Sequence, residues 1–304
     1  MAGIYNAEAD KQSIMATFPR FRMLEKQHGS LIRGMLASRK QRQAASDGEA
    51  SGKISAFMSF YGGTSELIEA LVPQLHGDLR TNARVVQITQ DGDSTYNLRL
   101  EDGTKLEADV VLLTTPAYVT ADLVREVAPQ VAKHLNEIRY VSTGTISLAY
   151  RATDIPQPLD GFGLVIPGSE KRRINAITVA STKFDHRAPE GYVLMRIFFG
   201  GSRSPETMEL KDEALVQAVR SELQSILSIE AEPLFHRVYR WWNANPQYDV
   251  GHLDRVEAIE AALPVGLYVT GSPYRGVGLP DCVHQSQQVA KKVITEFMER
   301  VQTE

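Results

Sequence analysis

The stretch Gly266–Met298 reads GLYVTGSPYRGVGLPDCVHQSQQVAKKVITEFM, and it decides the fold of the chain. Its first part, Leu267–Val269, consists of apolar strand-forming residues, and a segment with three glycines follows it. From Val283 to Val301 the apolar residues recur with the period of a helix rather than that of a strand. The stretch therefore predicts a strand, a glycine-rich turn and a helix.

The predicted helix begins beside these glycines. Pro280 falls in its first turn, where a residue without an N–H group costs nothing. The first N–H groups of a helix lack partners within the helix and together carry about half a positive charge, and glycines let a ligand approach them closely. This geometry favours an anionic or electron-rich ligand, such as a phosphate or a reduced flavin. A turn whose glycines serve only the chain reversal explains the spacing equally well.

The segment Val269–Ala290 resembles the C-terminal flavin-binding signature of the flavin amine oxidase superfamily. Its GVGLPDC core is most similar to the porphyrinogen oxidases of haem biosynthesis, which act on protoporphyrinogen or coproporphyrinogen. Other segments match the same family in the same order along the chain: GIYNAEADKQSIMATFP, FYGGTSELIEAL, GFGLVIP, PEGYVLMRIFFG and RWWNANPQYDVGH. Several ordered matches are far more specific than any one of them.

The resemblance implies an FAD-dependent oxidation of a porphyrinogen, coproporphyrinogen III or protoporphyrinogen IX, to the porphyrin, with oxygen as the final acceptor. In such chemistry the cofactor reacts, and the protein supplies position and electric field. The sequence agrees, because it contains no HExxH, CxxC, GxSxG or P-loop motif and its seven histidines lack metal-ligand spacing. We therefore expect FAD as the cofactor, with neither a catalytic side chain nor a metal.

The resemblance also implies which residues contact the flavin. These cofactor-binding residues are Val85, Trp241, Gly271, Ser272, Gly278, Leu279 and Pro280. In this interpretation Val85 meets the adenine through its main chain, Gly271 and Ser272 lie near the pyrophosphate, and Trp241 lies close to the flavin. The last three residues bring the helix N-terminus to the N1–O2 edge of the flavin ring. Ordinary packing explains Val85 and Trp241 as well.

Strand-like segments between residues 143 and 199 predict an antiparallel sheet, with the amphipathic helix Pro205–Leu227 packed on it. In the resembled family such a sheet walls the substrate chamber. Phe162, Gly163 and Val165 match the family segment that faces the flavin across the substrate. An apolar wall thinned by glycine suits a flat macrocycle, and an ordinary core explains these three residues equally well.

Three further patterns concern local structure. Residues 4–35 read as helical, with an interruption at Pro19. Ala37–Lys53 contains no large apolar residue and is predicted to be an exposed, mobile connection. The pair Asp102-Gly103 separates two strand-like runs and is a strong hairpin signal.

These patterns predict an α/β flavoprotein of mixed helix and sheet, with the two-lobe fold of the FAD-linked reductases. We expect a discontinuous flavin lobe formed by residues 50–115 and 264–304. The substrate lobe, residues 116–263, combines the antiparallel sheet with helices. Residues 1–49 add a helical lobe of the kind that covers the substrate and, in some family members, touches the membrane.

Composition limits the partners and the location. A formal charge of −4 over 304 residues argues against a nucleic-acid partner. The single cysteine, Cys282, excludes an intrachain disulfide and fits a reducing cytoplasm. No apolar run approaches the ~18 residues of a membrane span. Peripheral contact with a membrane stays open.

The family pattern begins with a strand, a GxGxxG turn and a helix, and this sequence has no GxGxxG. We therefore expect the chain to be N-terminally incomplete, with a separate N-terminal half or a second copy as a partner. Two alternatives follow. The chain is a non-catalytic tetrapyrrole-binding or interaction protein, or it is another oxidoreductase of the superfamily, such as an amine oxidase or a carotene desaturase.

Overall fold

The computed structural model describes residues 5–46, 58–92 and 95–303, in which helices and strands alternate. The α-helices of the described residues are α1 (Ile14–Thr17), α2 (Pro19–His28), α3 (Leu31–Ser46), α4 (Ser65–Leu71), α5 (Ala117–Val124), α6 (Pro129–Asn136), α7 (Ala180–Lys183), α8 (Asp212–Leu227), α9 (His252–Ala262) and α10 (Leu279–Thr303). The strands in the same ranges are β1 (Val85–Asp91), β2 (Thr95–Leu100), β3 (Lys105–Ala108), β4 (Val111–Leu113), β5 (Tyr140–Arg151), β6 (Gly163–Val165), β7 (Ile174–Val179), β8 (Tyr192–Gly200), β9 (Phe235–Pro246) and β10 (Leu267–Val269). Short 3-10 helices cover Val72–Gln74, Ala152–Asp154, Gly168–Glu170 and Pro205–Glu209.

The chain divides into two compact units, each of which collects separate parts of the sequence. Unit 1 contains residues 1–10, 43–79 and 141–245, and unit 2 contains residues 11–42, 80–140 and 246–304. Neither unit is continuous in sequence, so the chain passes between them several times. The lobe boundaries expected from the sequence stay a prediction.

Unit 2 is built around the parallel pair β4–β10 and the antiparallel sheet β1–β2–β3. Leu267 lies opposite Val111, and Val269 lies opposite Leu113. Parallel strands are normally buried on both faces, so they need helices over them. Residues of α5, α6 and α9 share one core with these strands, including Ile88, Tyr96, Val111, Leu113, Val124, Val131, Leu135, Val256, Ile259, Leu267 and Val269.

Unit 1 contains a five-stranded sheet in the order β6-β7-β8-β5-β9. The pairs β6–β7, β7–β8 and β5–β8 are antiparallel. Helix α8 packs against one face of this sheet through Leu215, Val219 and Leu223, which recur at helical spacing and are almost fully buried. The predicted sheet with an amphipathic helix is confirmed. The helical segment starts with a 3-10 turn at Pro205, and the α-helix begins at Asp212.

Three local predictions have different outcomes. Pro19 begins α2, so the interruption expected there is confirmed. The helical prediction for residues 4–35 is wrong over residues 6–13, where Gln12 forms an isolated β-bridge with Asp249. Asp102-Gly103 forms the turn between β2 and β3, where the Thr104 N–H donates to the Asp102 carboxylate at 2.9 Å. The exposed, mobile connection predicted at Ala37–Lys53 is instead helical up to Ser46, because α3 continues to that residue. Alanine, glutamine, lysine and arginine favour helix even without an apolar stripe. Residues 47–53 lie outside the described residues.

None of the helices in the described ranges is long and apolar enough to cross a bilayer.

Candidate functional site

The candidate site is the turn that joins β10 to α10 in unit 2. The Thr270 N–H donates to the Leu113 carbonyl at 3.1 Å and extends the pairing of β10 with β4 by one residue. Gly271 and Gly276 then adopt φ values of +114° and +147°, which side-chain-bearing residues rarely adopt. These two glycines are therefore required by the path of the backbone. The predicted strand, glycine turn and helix are confirmed.

Helix α10 starts at Leu279, with Pro280 as its second residue. The Cys282 N–H donates to the Gly278 carbonyl at 2.9 Å, which makes Gly278 the residue that precedes the helix. The Leu279 side chain is 52% exposed, and Pro280 and Asp281 are exposed as well. The N-terminal end of α10 therefore lies at the surface of unit 2, where its positive partial charge is accessible to a ligand.

Asp281 folds back over the two glycines that precede the helix. A Cβ atom at Gly276 would lie 2.5 Å from the Asp281 Cβ, and one at Gly278 would lie 2.8 Å from the Asp281 Oδ2. The backbone φ of Gly278 does not require a glycine. Within the described residues, the space that the Asp281 side chain occupies is thus a structural reason for a glycine at position 278. The Asp281 carboxylate lies in the first turn of α10, where a negative charge stabilises the start of a helix.

Tyr248 joins the two limbs of the turn and was missed by the sequence reasoning. Its hydroxyl accepts from the Gly276 N–H at 2.8 Å and donates to the Ser272 carbonyl at 2.7 Å. The side chain is only 1% exposed, so both bonds are shielded from water. The matching segment RWWNANPQYDVGH contains Tyr248, but nothing in the sequence indicates that this residue reaches the glycine turn.

His252 supports Tyr248 from behind and also contacts the turn directly. The two rings stack with centroids 4.0 Å apart, and His252 Nε2 lies 2.8 Å from the Tyr274 carbonyl oxygen. A carbonyl can only accept, so Nε2 carries the proton and Nδ1 is left without a hydrogen-bond partner among the described residues. Burial lowers the pKa of His252 and so favours the neutral ring, in which the unpartnered Nδ1 carries no proton.

The carbonyl of Gly276 is fixed from the opposite side by α10. Gln285 Nε2 donates to it at 3.3 Å, and the Cys282 Sγ lies 3.4 Å from it. Burial raises the pKa of the Cys282 thiol, so the thiol stays protonated near neutral pH. Arg275 is held by a two-bond ion pair with Glu260 at 3.0 and 2.5 Å. These contacts hold the turn from both sides, as a preorganised binding site requires.

Five of the predicted cofactor residues lie in this turn or in the first two positions of α10: Gly271, Ser272, Gly278, Leu279 and Pro280. Val85 begins β1 of the same unit and is packed against its core. Trp241 belongs to unit 1, where it is 47% exposed and stacks on Tyr239 with ring centroids 6.1 Å apart. The flavin contacts assigned to these seven residues stay predictions.

The predicted substrate residues lie at the edge strand β6 of unit 1. Phe162 and Val165 are 52% and 69% exposed, so neither is an ordinary core residue. A Cβ atom at Gly163 would lie 2.1 Å from the Ile177 carbonyl, and therefore only glycine permits the close approach of β6 to β7. Their contact with a substrate stays a prediction.

Residues 1–294 match the family described as "Flavin containing amine oxidoreductase", and the chain therefore belongs to that family. The predicted family and two-lobe fold class are confirmed, and so is FAD, the flavin cofactor, at the level of the family.

Relatives place the chain more closely. It is 32% identical to the "Coproporphyrinogen III oxidase" of Bacillus subtilis (strain 168) over 97% of its length and 63% of that protein. It is 28% identical to the chloroplastic "Protoporphyrinogen oxidase" of Nicotiana tabacum over 98% of its length and 58% of that protein. The crystal structure of a "Putative protoporphyrinogen oxidase" from Exiguobacterium sp. 255-15 matches this chain with a TM-score of 0.80 at 30% identity. The match covers 97% of this chain and 62% of the Exiguobacterium chain. The chain thus spans about three fifths of each relative's length.

Proposed function

We propose that this chain belongs to a porphyrinogen oxidase of haem biosynthesis, which oxidises coproporphyrinogen III or protoporphyrinogen IX to the porphyrin with FAD as cofactor and oxygen as acceptor. One observation carries the proposal: the glycine turn and the accessible start of α10 occur in a chain related over 97% of its length to a coproporphyrinogen III oxidase. Of the two substrates we favour coproporphyrinogen III, because relatives named coproporphyrinogen III oxidase are 32–33% identical to this chain and those named protoporphyrinogen oxidase are 27–30% identical.

The residues of the turn fit the cofactor. Gly271 is half-buried, and a Cβ atom there would make only ordinary contacts, with Pro273 and the Thr114 carbonyl at 3.7 Å. Gly271 and Ser272 would hold the pyrophosphate, and Gly278, Leu279 and Pro280 would present the start of α10 to the ring. Val85 would contact the adenine through its main chain, and Trp241 would contribute an aromatic surface. Bound FAD supplies the acceptor for the hydride equivalents removed from the porphyrinogen.

The protein side of this chemistry is positional and electrostatic. The helix end favours negative charge on the ring edge beside it. Tyr248 and His252 keep the turn in the conformation that presents this end through their hydrogen bonds to its backbone, and burial lowers the pKa of His252 and so favours its neutral ring. Phe162, Gly163 and Val165 would offer the macrocycle an apolar, glycine-thinned surface. A cytoplasmic location belongs to the same proposal and is supported by the single cysteine; membrane contact and self-association stay predictions.

The test is reconstitution of the purified chain with FAD, followed by an assay of turnover. Co-purification or uptake of FAD is read from the visible absorbance of bound flavin. Turnover of coproporphyrinogen III and protoporphyrinogen IX is read from porphyrin fluorescence under air. We expect bound flavin and faster turnover of coproporphyrinogen III. A chain that binds porphyrin without flavin or turnover would instead be the non-catalytic tetrapyrrole-binding alternative. A flavin-loaded chain inactive on both porphyrinogens would be another member of the superfamily.

A further inference from the structure

The sheet of unit 1 has a second face, which points away from α8. Its members include Thr145, Ser147, Ala149, Val165, Ala176, Thr178, Leu194, Arg196, Phe198, Arg237, Tyr239 and Trp241. The assignment follows from alternation: Met195 and Ile197 are fully buried against α8, so Arg196 between them points the other way. On β9, Val238 and Arg240 face the core, and Tyr239 and Trp241 therefore belong to the second face.

Arg196 lies near the middle of this face, on β8, which is the central strand of the five. It is exposed, and its guanidinium has no hydrogen bond or ion pair with any residue that the structure describes. No member of the second face is an aspartate or a glutamate. Two other arginines of the unit are paired: Arg172 with Glu222 at 2.8 Å, and Arg240 with Asp212 at 2.6 Å.

The immediate neighbours of Arg196 are suited to a carboxylate ligand. Ser147 and Thr178 lie directly opposite it on the two adjacent strands. Side chains in such cross-strand positions have Cβ atoms about 5 Å apart, so two hydroxyl groups lie within reach of a group bound to the guanidinium. Phe198, Tyr239 and Trp241 add apolar and aromatic surface around this polar row; the last two are 48% and 47% exposed. The combination offers a cation near the middle of a surface for a flat, apolar molecule, with Arg237 as a second cation toward the β9 edge.

We propose that Arg196, with Ser147 and Thr178, binds a carboxylate of the substrate and is a determinant of specificity for carboxylate-bearing macrocycles. The inference rests on the proposed function, since coproporphyrinogen III carries four propionate side chains around its ring. A planar guanidinium binds a carboxylate through two parallel hydrogen bonds, which a lysine cannot reproduce. Arg196 therefore acts by binding and takes no part in the transfer of electrons.

The test compares Arg196→Gln and Arg196→Lys with the unaltered chain. Arg173→Gln is the matched control, because Arg173 is also exposed and lines a separate cavity of unit 1 beside Arg203. For Arg196→Gln we expect KM for coproporphyrinogen III to rise about 10- to 100-fold with little change in kcat, the size of a lost hydrogen-bonded charge pair. The KM of Arg196→Lys should lie between those of the unaltered chain and Arg196→Gln. Arg173→Gln should have the same KM as the unaltered chain.

A second measurement identifies the carboxylate. Binding of coproporphyrin III and of its tetramethyl ester is followed by porphyrin fluorescence, which requires neither flavin nor turnover. The free acid should bind more weakly to Arg196→Gln, whereas the ester should bind equally to both proteins. If Arg196→Gln loses affinity equally for the free acid and the ester, or loses affinity for neither, the proposed role of Arg196 is wrong. If the unaltered chain binds the free acid in this way but has no oxidase activity, the proposed function fails and the carboxylate site stands.

Discussion

At the scale of single residues, the turn depends on side chains that lie outside it. Tyr248 and Ser272 are separated by 24 positions, and their hydrogen bond exists only because the fold brings the two segments together. No periodicity or local motif reports such a contact, which is why Tyr248 and His252 could not be found from the sequence. By contrast, Gly271 and Gly276 could be, because their positive φ values are a local property of a turn.

The first prediction concerns Tyr248→Phe. The change removes the hydroxyl that joins Gly276 to Ser272 and leaves a buried N–H without a partner, which costs about 1–3 kcal/mol. We expect a lower free energy of unfolding in denaturant titration and weaker FAD binding in a fluorescence titration. Tyr239→Phe alters an exposed tyrosine of unit 1 and should change the free energy of unfolding little. A Tyr248→Phe protein as stable as this control would contradict the role assigned to Tyr248.

The second prediction concerns the effect of pH through His252. Burial holds its folded-state pKa below the ordinary value of 6.5, so below that pH the unfolded chain binds more protons than the folded one. The free energy of unfolding should therefore be at its plateau above about pH 7 and decrease as the pH falls below about 6.5. His252→Gln should flatten this slope, because its amide can donate to Tyr274 without titrating. His236→Gln changes an exposed histidine and should keep the dependence of the unfolding free energy on pH. If the unaltered chain, His252→Gln and His236→Gln all show the same dependence, His252 is not its source.

At the scale of elements, the local patterns predicted most of what the structure contains. The β10 strand, its glycine turn and α10 follow from apolar spacing and from the positions of Gly271, Gly276 and Pro280. The hairpin at Asp102-Gly103 follows from turn chemistry alone. The extension of α3 to Ser46 could not be predicted by apolar spacing, since propensity rather than burial explains a helix there.

The third prediction separates two reasons for glycine before α10. Gly278→Val should abolish retention of FAD, either because its side chain blocks the ligand or because it displaces Asp281. The double variant Gly278→Val/Asp281→Ala distinguishes these reasons, since it relieves the contact with Asp281 and leaves the blockage. We expect no FAD binding by either protein in equilibrium dialysis, and normal binding by Asp281→Ala alone. Normal FAD affinity in Gly278→Val would show that the ring edge does not approach this residue.

At the scale of the whole molecule, each unit is assembled from distant segments of the sequence. The sequence predicted which kinds of element occur and their order along the chain. Their grouping depends on non-local packing, such as the pairing of β10 with β4 across more than a hundred residues, and a single sequence does not report it. The resemblance of several ordered segments supplied the family, which the match over residues 1–294 confirms.

The fourth prediction concerns the response of the folded chain to FAD. A ligand that binds only the folded state raises its stability by about 2.7 kcal/mol at a free concentration of 100 times Kd. We therefore expect the thermal unfolding midpoint to rise steadily with FAD concentration. Riboflavin lacks the pyrophosphate and the adenine and should give a much smaller rise. Identical curves with and without FAD would contradict a cofactor site in this chain.

The second face of the unit 1 sheet has one more consequence. A guanidinium keeps its proton throughout the range in which proteins stay folded, and the face holds no acidic residue that could cancel it. Attraction of an anion to Arg196 should consequently be almost indifferent to acidity until the anion itself is neutralised. Dissolved salt should weaken this attraction, because mobile ions screen exposed charges with a screening length of about 10 Å at 0.1 M. Ionic strength is thus the variable by which this surface would be weakened.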